Sequence, residues 1–176
     1  MELQLVIIGV VLALIFDFVN GINDAANSIA TIVATRVLKP LQAVAWAAFW
    51  NFAAVTIIQL KVATTIGKGV INPDSVTTEV ILAALIGAIV WAWGCTLLGL
   101  PISVSHALVG GLLGAGLLYA GVDAVAWKGI TKIGLFIVLS PIIGTVLAFI
   151  FMSAVTWLFR RSDRRKVNVL FRRLQL

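Results

Sequence analysis

Apolar runs long enough to cross a bilayer follow one another along this chain almost without interruption, and this constrains its fold before anything else. A spanning helix needs about 20 mostly apolar residues. The first run is Leu3 to Val19, interrupted late by Asp17, and a small-residue segment, Gly21 to Thr35, leads on to Arg36 and Lys39. Pro40 opens a second run, Leu41 to Leu60. Lys61 to Thr78, with Gly67, Gly69, Asn72, Pro73 and Asp74, is polar enough for an interfacial connection. A third run, Val80 to Leu100, stops at Pro101, and a fourth, Ile102 to Tyr119, begins with polar residues and is dense in glycine. The last, Ile133 to Phe159, contains Ser140-Pro141, where a kink or break is expected. The pattern predicts an all-α, polytopic membrane helical bundle.

Composition excludes the soluble alternatives. Hydrophobic residues make up 61% of the chain and charged residues 11%, against roughly 45–50% and 25% in soluble domains. A globule of 176 residues has too much surface to cover with so few charges. A soluble enzyme, a nucleic-acid-binding domain and a disordered chain all fit poorly.

The net charge of +6 is local rather than general. Residues 1–159 carry six of the 13 basic side chains and six of the 7 acidic ones, so the excess lies wholly in residues 160–176. This divides the chain into a membrane domain, 1–159, and a basic tail, 160–176. Lys and Arg blocks just after an apolar span mark a cytoplasmic flank, and a lipid-headgroup role for the same tail is the second reading. Nucleic acid is not an expected partner. With Arg36, Lys39 and the tail inside, the N-terminus lies outside. Five full crossings satisfy that orientation, and so does a re-entrant hairpin of the third and fourth runs with two short crossings in the last. The expected location is the cytoplasmic membrane of a bacterium or archaeon, as a multi-pass protein. No cleavable signal peptide is evident at the N-terminus.

Polar groups inside a membrane must face protein or water, which makes two clusters informative. The first runs from Asp17 to Ser28 and holds two carboxylates, three amides and a hydroxyl. Alanine-rich sequence follows it, so the cluster reads as helix rather than loop. Asp24, Asn27 and Thr31 recur at helical spacing and share a face. Asn20 and Asn23 extend that face backwards if Gly21 leaves the helix intact, and Asp17 lies two turns before Asp24. One carboxylate among amide oxygens suits a hard cation such as Na⁺, with Asp24 and Asn27 as ligands, particularly where a helix is unwound. A proton-coupled version would titrate the same aspartate. Hydrogen bonding between helices and capping at the interface are the structural alternatives.

The second cluster is Gly99 to Gly111. Pro101 ends or bends one helix, and Ser103 or Ser105 can cap the next. The free N–H groups of that first turn, with the hydroxyls, form an anion site. His106, the one histidine, either donates to an anion or packs within the bundle. Gly110, Gly111, Gly114 and Gly116 permit close helix approach and equally permit a broken helix beside a substrate. No catalytic constellation competes. One histidine and one cysteine, Cys95, make no zinc site, and no glycine-rich nucleotide loop occurs. The chain reads as a non-enzyme without a cofactor.

The two clusters carry a resemblance. "DFVNGINDAANSIATIVATRVLKP" from Asp17 to Pro40 and "GLPISVSHALVGGLLGAG" from Gly99 to Gly116 resemble the inorganic phosphate transporter family, PiT, also called PHO-4 or low-affinity phosphate transporters. "TTIGKGVI" and the closing "FRRSDRRKVNVLFRRLQL" look like bacterial members. The resemblance implies symport of inorganic phosphate with Na⁺ or H⁺ through two inverted halves, each with an Asn-Asp motif and a broken-helix hairpin. It places Asn23, Asp24 and Asn27 in the ion motif, and Ser103, Ser105 and His106 in the hairpin motif near phosphate. Ile102 and Val104 stand where many relatives have serines, Ala92 where an asparagine often follows the tryptophan, and Asn23 where histidine is frequent.

Only one copy of each motif is present. The chain therefore reads as the N-terminal half, acting with a C-terminal half or second transporter subunit. Three forms are compatible: a fragment, a half that pairs with a separate half, and a self-pairing homodimer. The last would place one basic tail on the wrong face. A non-transporting subunit and an inactive truncated fragment are the functional alternatives.

Overall fold

The first apolar run and the small-residue segment after it form one helix. In the computed structural model, which describes residues 2–57 and 69–175, α1 runs from Glu2 to Ala34 without a break at Gly21. A lone glycine costs about 1 kcal/mol in a helix, too little to end one flanked by aliphatic and alanine-rich sequence. After α1 come α2 (Pro40–Ile57), α3 (Thr78–Leu97), α4 (Val104–Ala120), α5 (Trp127–Phe159) and α6 (Arg164–Leu174). The described residues contain no strand, only an isolated bridge between Ile71 and Val125. The end of the second apolar run and residues 61–68 of the expected connection lie outside the described residues.

Among the described residues three helical segments are long and apolar enough to span a membrane: Leu3–Ala34, Thr78–Leu97 and Trp127–Phe159. The last corrects the expectation of a break at Pro141. It is one helix of 33 residues with Pro141 inside it, and it begins before Ile133 because Lys128 and Lys132 are part of it.

α1 ends in a Schellman turn. Val37 N–H donates to the Ile32 carbonyl and Arg36 N–H to that of Val33, both at 3.0 Å, and Arg36 takes the left-handed conformation at φ 55°. The same device ends α3: Leu100 donates to Cys95 at 2.9 Å and Gly99 to Thr96 at 3.1 Å, with Gly99 at φ 67°. The helix thus ends at Leu97, four residues before Pro101, which then prevents the chain from resuming it. Ser103 caps α4, its hydroxyl accepting from His106 N–H at 3.4 Å.

α3 and α4 form an antiparallel hairpin, and small residues set its spacing. A Cβ at Gly111 would meet the Ala84 carbonyl oxygen at 2.5 Å, and Gly87 faces Gly111 across the same seam. The buried core lies towards the base, opposite the Pro101 tip. There Val70, Ile71 and Val80 are enclosed by Val109, Leu112, Leu113, Ile130 and Ile133. Gly129 crosses against the Gly69 backbone so closely that a Cβ would collide with its carbonyl oxygen. α5 leaves this base and has no buried residue. Its Phe149, Phe151 and Met152 are exposed apolar surface, suited to lipid or to a partner helix.

α1 and α3 run parallel. A Cβ at Gly9 would contact Leu82 at 3.5 Å, and Asn23 bonds Thr96. Both pairs are offset by 73 residues. That register places Leu97, the last residue of α3, level with Asp24.

Candidate functional site

A continuous α1 puts Asp17, Asn20, Gly21, Asp24 and Ser28 on one face, since they recur at three- and four-residue steps. These residues line a cleft of about 600 Å³ between α1 and α2, with Ala47, Ala48 and Asn51 opposite. Asp24 stands ten residues before Ala34, or about 15 Å at the helical rise, which is half of a roughly 30 Å hydrocarbon core. The carboxylate is therefore deep along the helix, among oxygens and amides rather than at an end. Ser28 donates to the Asp24 backbone carbonyl at 3.2 Å, leaving the carboxylate to the cleft.

Asn23 points elsewhere. It lies 100° round the helix from Asp24 and faces α3 instead of extending the Asp24 face. Its amide nitrogen donates to the Val19 carbonyl at 2.9 Å. Its amide oxygen is 3.1 Å from the Thr96 hydroxyl, which also lies 2.7 Å from the Ala92 carbonyl. Both ends of the Asn23 amide are thus engaged in protein contacts. Asn27 and Thr31 are exposed on α1 beyond the cleft lining. The Thr31 carbonyl accepts from the Thr35 hydroxyl at 2.8 Å.

The hairpin tip supplies a second cleft, of about 560 Å³, between α3 and the start of α4. Pro101, Ile102, Ser103 and His106 line it with Gly87 and Trp91. The first intrahelical bond of this turn is from Ala107 to Ser103 at 3.0 Å, so the N–H groups of Val104 and Ser105 precede the ladder and face outward. Val104 itself is buried. Ser105 is exposed at the turn without lining the cleft. His106 also borders a more apolar cavity of about 410 Å³ with Lys132, Ser140 and Pro141 of α5. His106 of α4 thus shares this cavity with Lys132 and Ser140 of α5.

The helix is not unwound at the Asn-Asp segment, so a cation there would meet side-chain oxygens rather than freed α1 carbonyls. Among the described residues no three His, Cys, Asp or Glu side chains come together as a metal cluster. The cleft offers one or two carboxylates with neutral oxygens, chemistry for a weakly held alkali cation. Three contributors escaped the sequence reading. Ser28 was within the polar cluster and its spacing from Asp17, Asn20 and Asp24 was readable. Asn51 and Thr96 are scattered polar residues in apolar runs, and only tertiary packing reveals what they face.

The comparisons agree on one family. The model of the phosphate transporter family matches residues 20–174. A probable low-affinity inorganic phosphate transporter of Rhizobium meliloti is 52% identical over 94% of this chain and 50% of its own length. One of Bacillus subtilis is 44% identical over 99% of the chain and 53% of its own. The solved structure described as the sodium-dependent phosphate transporter superposes with a TM-score of 0.85 at 34% identity, covering 93% of this chain and 42% of that one. The chain thus spans about half the length of these relatives.

Proposed function

From the chain's membership of the phosphate transporter family, we propose that it forms one half of a membrane pathway carrying inorganic phosphate together with Na⁺. Asp24 is the cation-binding carboxylate, supported by Asn27 and by the neutral oxygens of the α1–α2 cleft, with Thr31 a turn further along. Ser103, Ser105 and the N–H groups ahead of α4 are donors to phosphate, and His106 adds a donor from the same turn. Residues 1–159 form the membrane domain. The basic tail, 160–176, lies on the cytoplasmic side, on the same face as Arg36 and Lys39. The neighbour described as sodium-dependent supports Na⁺ over H⁺.

One observation carries this reading: the Asn23–Thr96 contact fixes α3 so that its end stands level with Asp24. A carboxylate and an anion-binding helix start then meet at one depth. Na⁺ beside Asp24 would offset part of the charge of phosphate held at the tip, which gives a physical basis for carrying the two together. A multiply charged anion must be surrounded by donors before it loses water, and one hairpin covers one side. The complementary half closes the other side and supplies the moving partner for alternating access.

The test is phosphate uptake in proteoliposomes. This chain co-reconstituted with the complementary half of the Rhizobium meliloti relative is expected to accumulate phosphate under an inward Na⁺ gradient. The 176-residue chain alone is expected to accumulate none under a Na⁺ or a proton gradient. Robust saturable uptake by the chain alone would overturn the half-pathway reading and favour a self-paired dimer. Uptake by the pair driven equally well by protons without Na⁺ would overturn the choice of cation.

A further inference from the structure

The last helix, α6, is amphipathic in a way the transport site does not use. Around its wheel, Val167, Leu170, Phe171 and Leu174 share one arc, while Arg164, Arg165, Arg172 and Arg173 occupy the other. Asp163 starts the helix, its carboxylate accepting from Arg165 N–H at 2.7 Å. Three contacts fold it back onto the body. Phe171 packs edge-on against Phe159 at 5.5 Å, Arg172 donates to the Arg36 carbonyl at 3.0 Å, and the Thr35 hydroxyl lies 2.8 Å from the Gln175 side-chain oxygen. α6 is therefore held where the long apolar helices α1 and α5 end, at a bilayer's edge.

These contacts use only half of the apolar arc. Val167 and Phe171 are partly covered, but Leu170 is 41% exposed and Leu174 70%. Beside them is a shallow pocket of about 380 Å³ lined by Arg165, Lys166, Val169, Leu170 and Arg173. Three cations thus ring an apolar floor, with no acidic side chain in the lining. Trp157 and Leu158, exposed at the end of α5, continue the apolar surface towards the hydrocarbon region.

We propose that α6 is an interfacial helix that binds the headgroup of an anionic phospholipid between Arg165, Lys166 and Arg173, with Leu170 and Leu174 set into the upper acyl layer. The charge selects an anion, and the apolar floor together with the position at the ends of α1 and α5 selects a lipid over free phosphate. A soluble anion gains nothing from Val169 and Leu170, whereas the glycerol and upper acyl carbons of a lipid bury them. The inference does not depend on which solute the chain helps to carry.

The whole chain in nanodiscs of phosphatidylcholine alone, or with an equal amount of phosphatidylglycerol, provides the test. Hydrogen exchange of the α6 amides should slow when phosphatidylglycerol is present, and native mass spectrometry should find that lipid retained preferentially. Each cation near an anionic surface contributes about fivefold, so Arg165→Gln with Lys166→Gln and Arg173→Gln should cut the preference by at least about tenfold after salt screening. The triple variant keeps Arg172 and Phe171, so α6 should stay docked. α6 protection and lipid retention alike in both lipids would overturn the proposal. So would equal protection by inorganic phosphate added to phosphatidylcholine discs.

Discussion

The Asp17–Ser28 stretch and the turn from Leu98 to Ser103 both bring polar groups deep into an apolar body, by opposite devices. α1 keeps every backbone bond inside an unbroken helix and offers side chains along one face, lining a cleft with α2. The hairpin interrupts its backbone with Gly99 and Pro101 and offers N–H groups and a capped helix start. Side-chain oxygens suit a cation and backbone N–H groups suit an anion, so the difference in device matches the ligand charges proposed for the two regions. Packing follows the same division. The hairpin seam is drawn tight by Gly87 and Gly111, whereas the α1 cleft stays open to Asn51.

The largest expected effect removes the charge from the α1 side. Asp24→Asn in the co-reconstituted pair should reduce phosphate uptake to background while the protein still inserts, because an amide of the same shape neutralises no cation. Cation-dependent uptake retained by that variant would break the assignment of α1 to the cation. Next is the hairpin seam. Gly111→Ala forces a Cβ against the Ala84 carbonyl and should cost about 1–3 kcal/mol as overpacking does, read as a lower melting temperature in detergent. Gly110→Ala, where a Cβ meets nothing within 4 Å, should leave it unchanged.

Smaller effects sharpen how the two regions are joined. Thr96→Val removes the hydroxyl that meets Asn23 and should cost about 1 kcal/mol, the usual net value of a hydrogen bond, with faster amide exchange at the tip. Thr96→Ser should restore both. Ser103→Ala should cost less, about 0.5 kcal/mol at the low end for a helix cap, because the bond to His106 N–H is long at 3.4 Å. Exchange should accelerate in the first turn of α4 and not in α3.

Much of this was legible in the residues. The apolar runs foretold the helices, and Pro101 and Ser103 marked a stop and a start. The spacing of Asp17, Asn20, Asp24 and Ser28 already describes one helical face. Asn23 was read onto the face of Asp24, Asn27 and Thr31 because it stands four residues before Asn27, whereas it lies 100° round the helix from Asp24 and its amide is taken up by Val19 and Thr96. Thr96 and Asn51 were silent because one hydroxyl or amide in an apolar run has no pattern. Pro141 suggested a break that its long aliphatic flanks do not take. The α6 contacts with Arg36 and Thr35 depend on the chain folding back after Phe159, which no local signal specifies.

The register between α1 and α3 is the central claim, and cross-linking measures it directly. With Cys95 replaced by alanine, the whole chain carrying Asn23→Cys and Thr96→Cys should form an intramolecular disulfide quickly on mild oxidation in bilayers, detected by mass spectrometry of its peptides. Asn23→Cys with Leu82→Cys should not, since Leu82 lies level with Gly9, about 21 Å away at the helical rise. Cross-linking of position 23 to 82 as fast as to 96 would contradict the account, because Asp24 would then not share a depth with the hairpin tip.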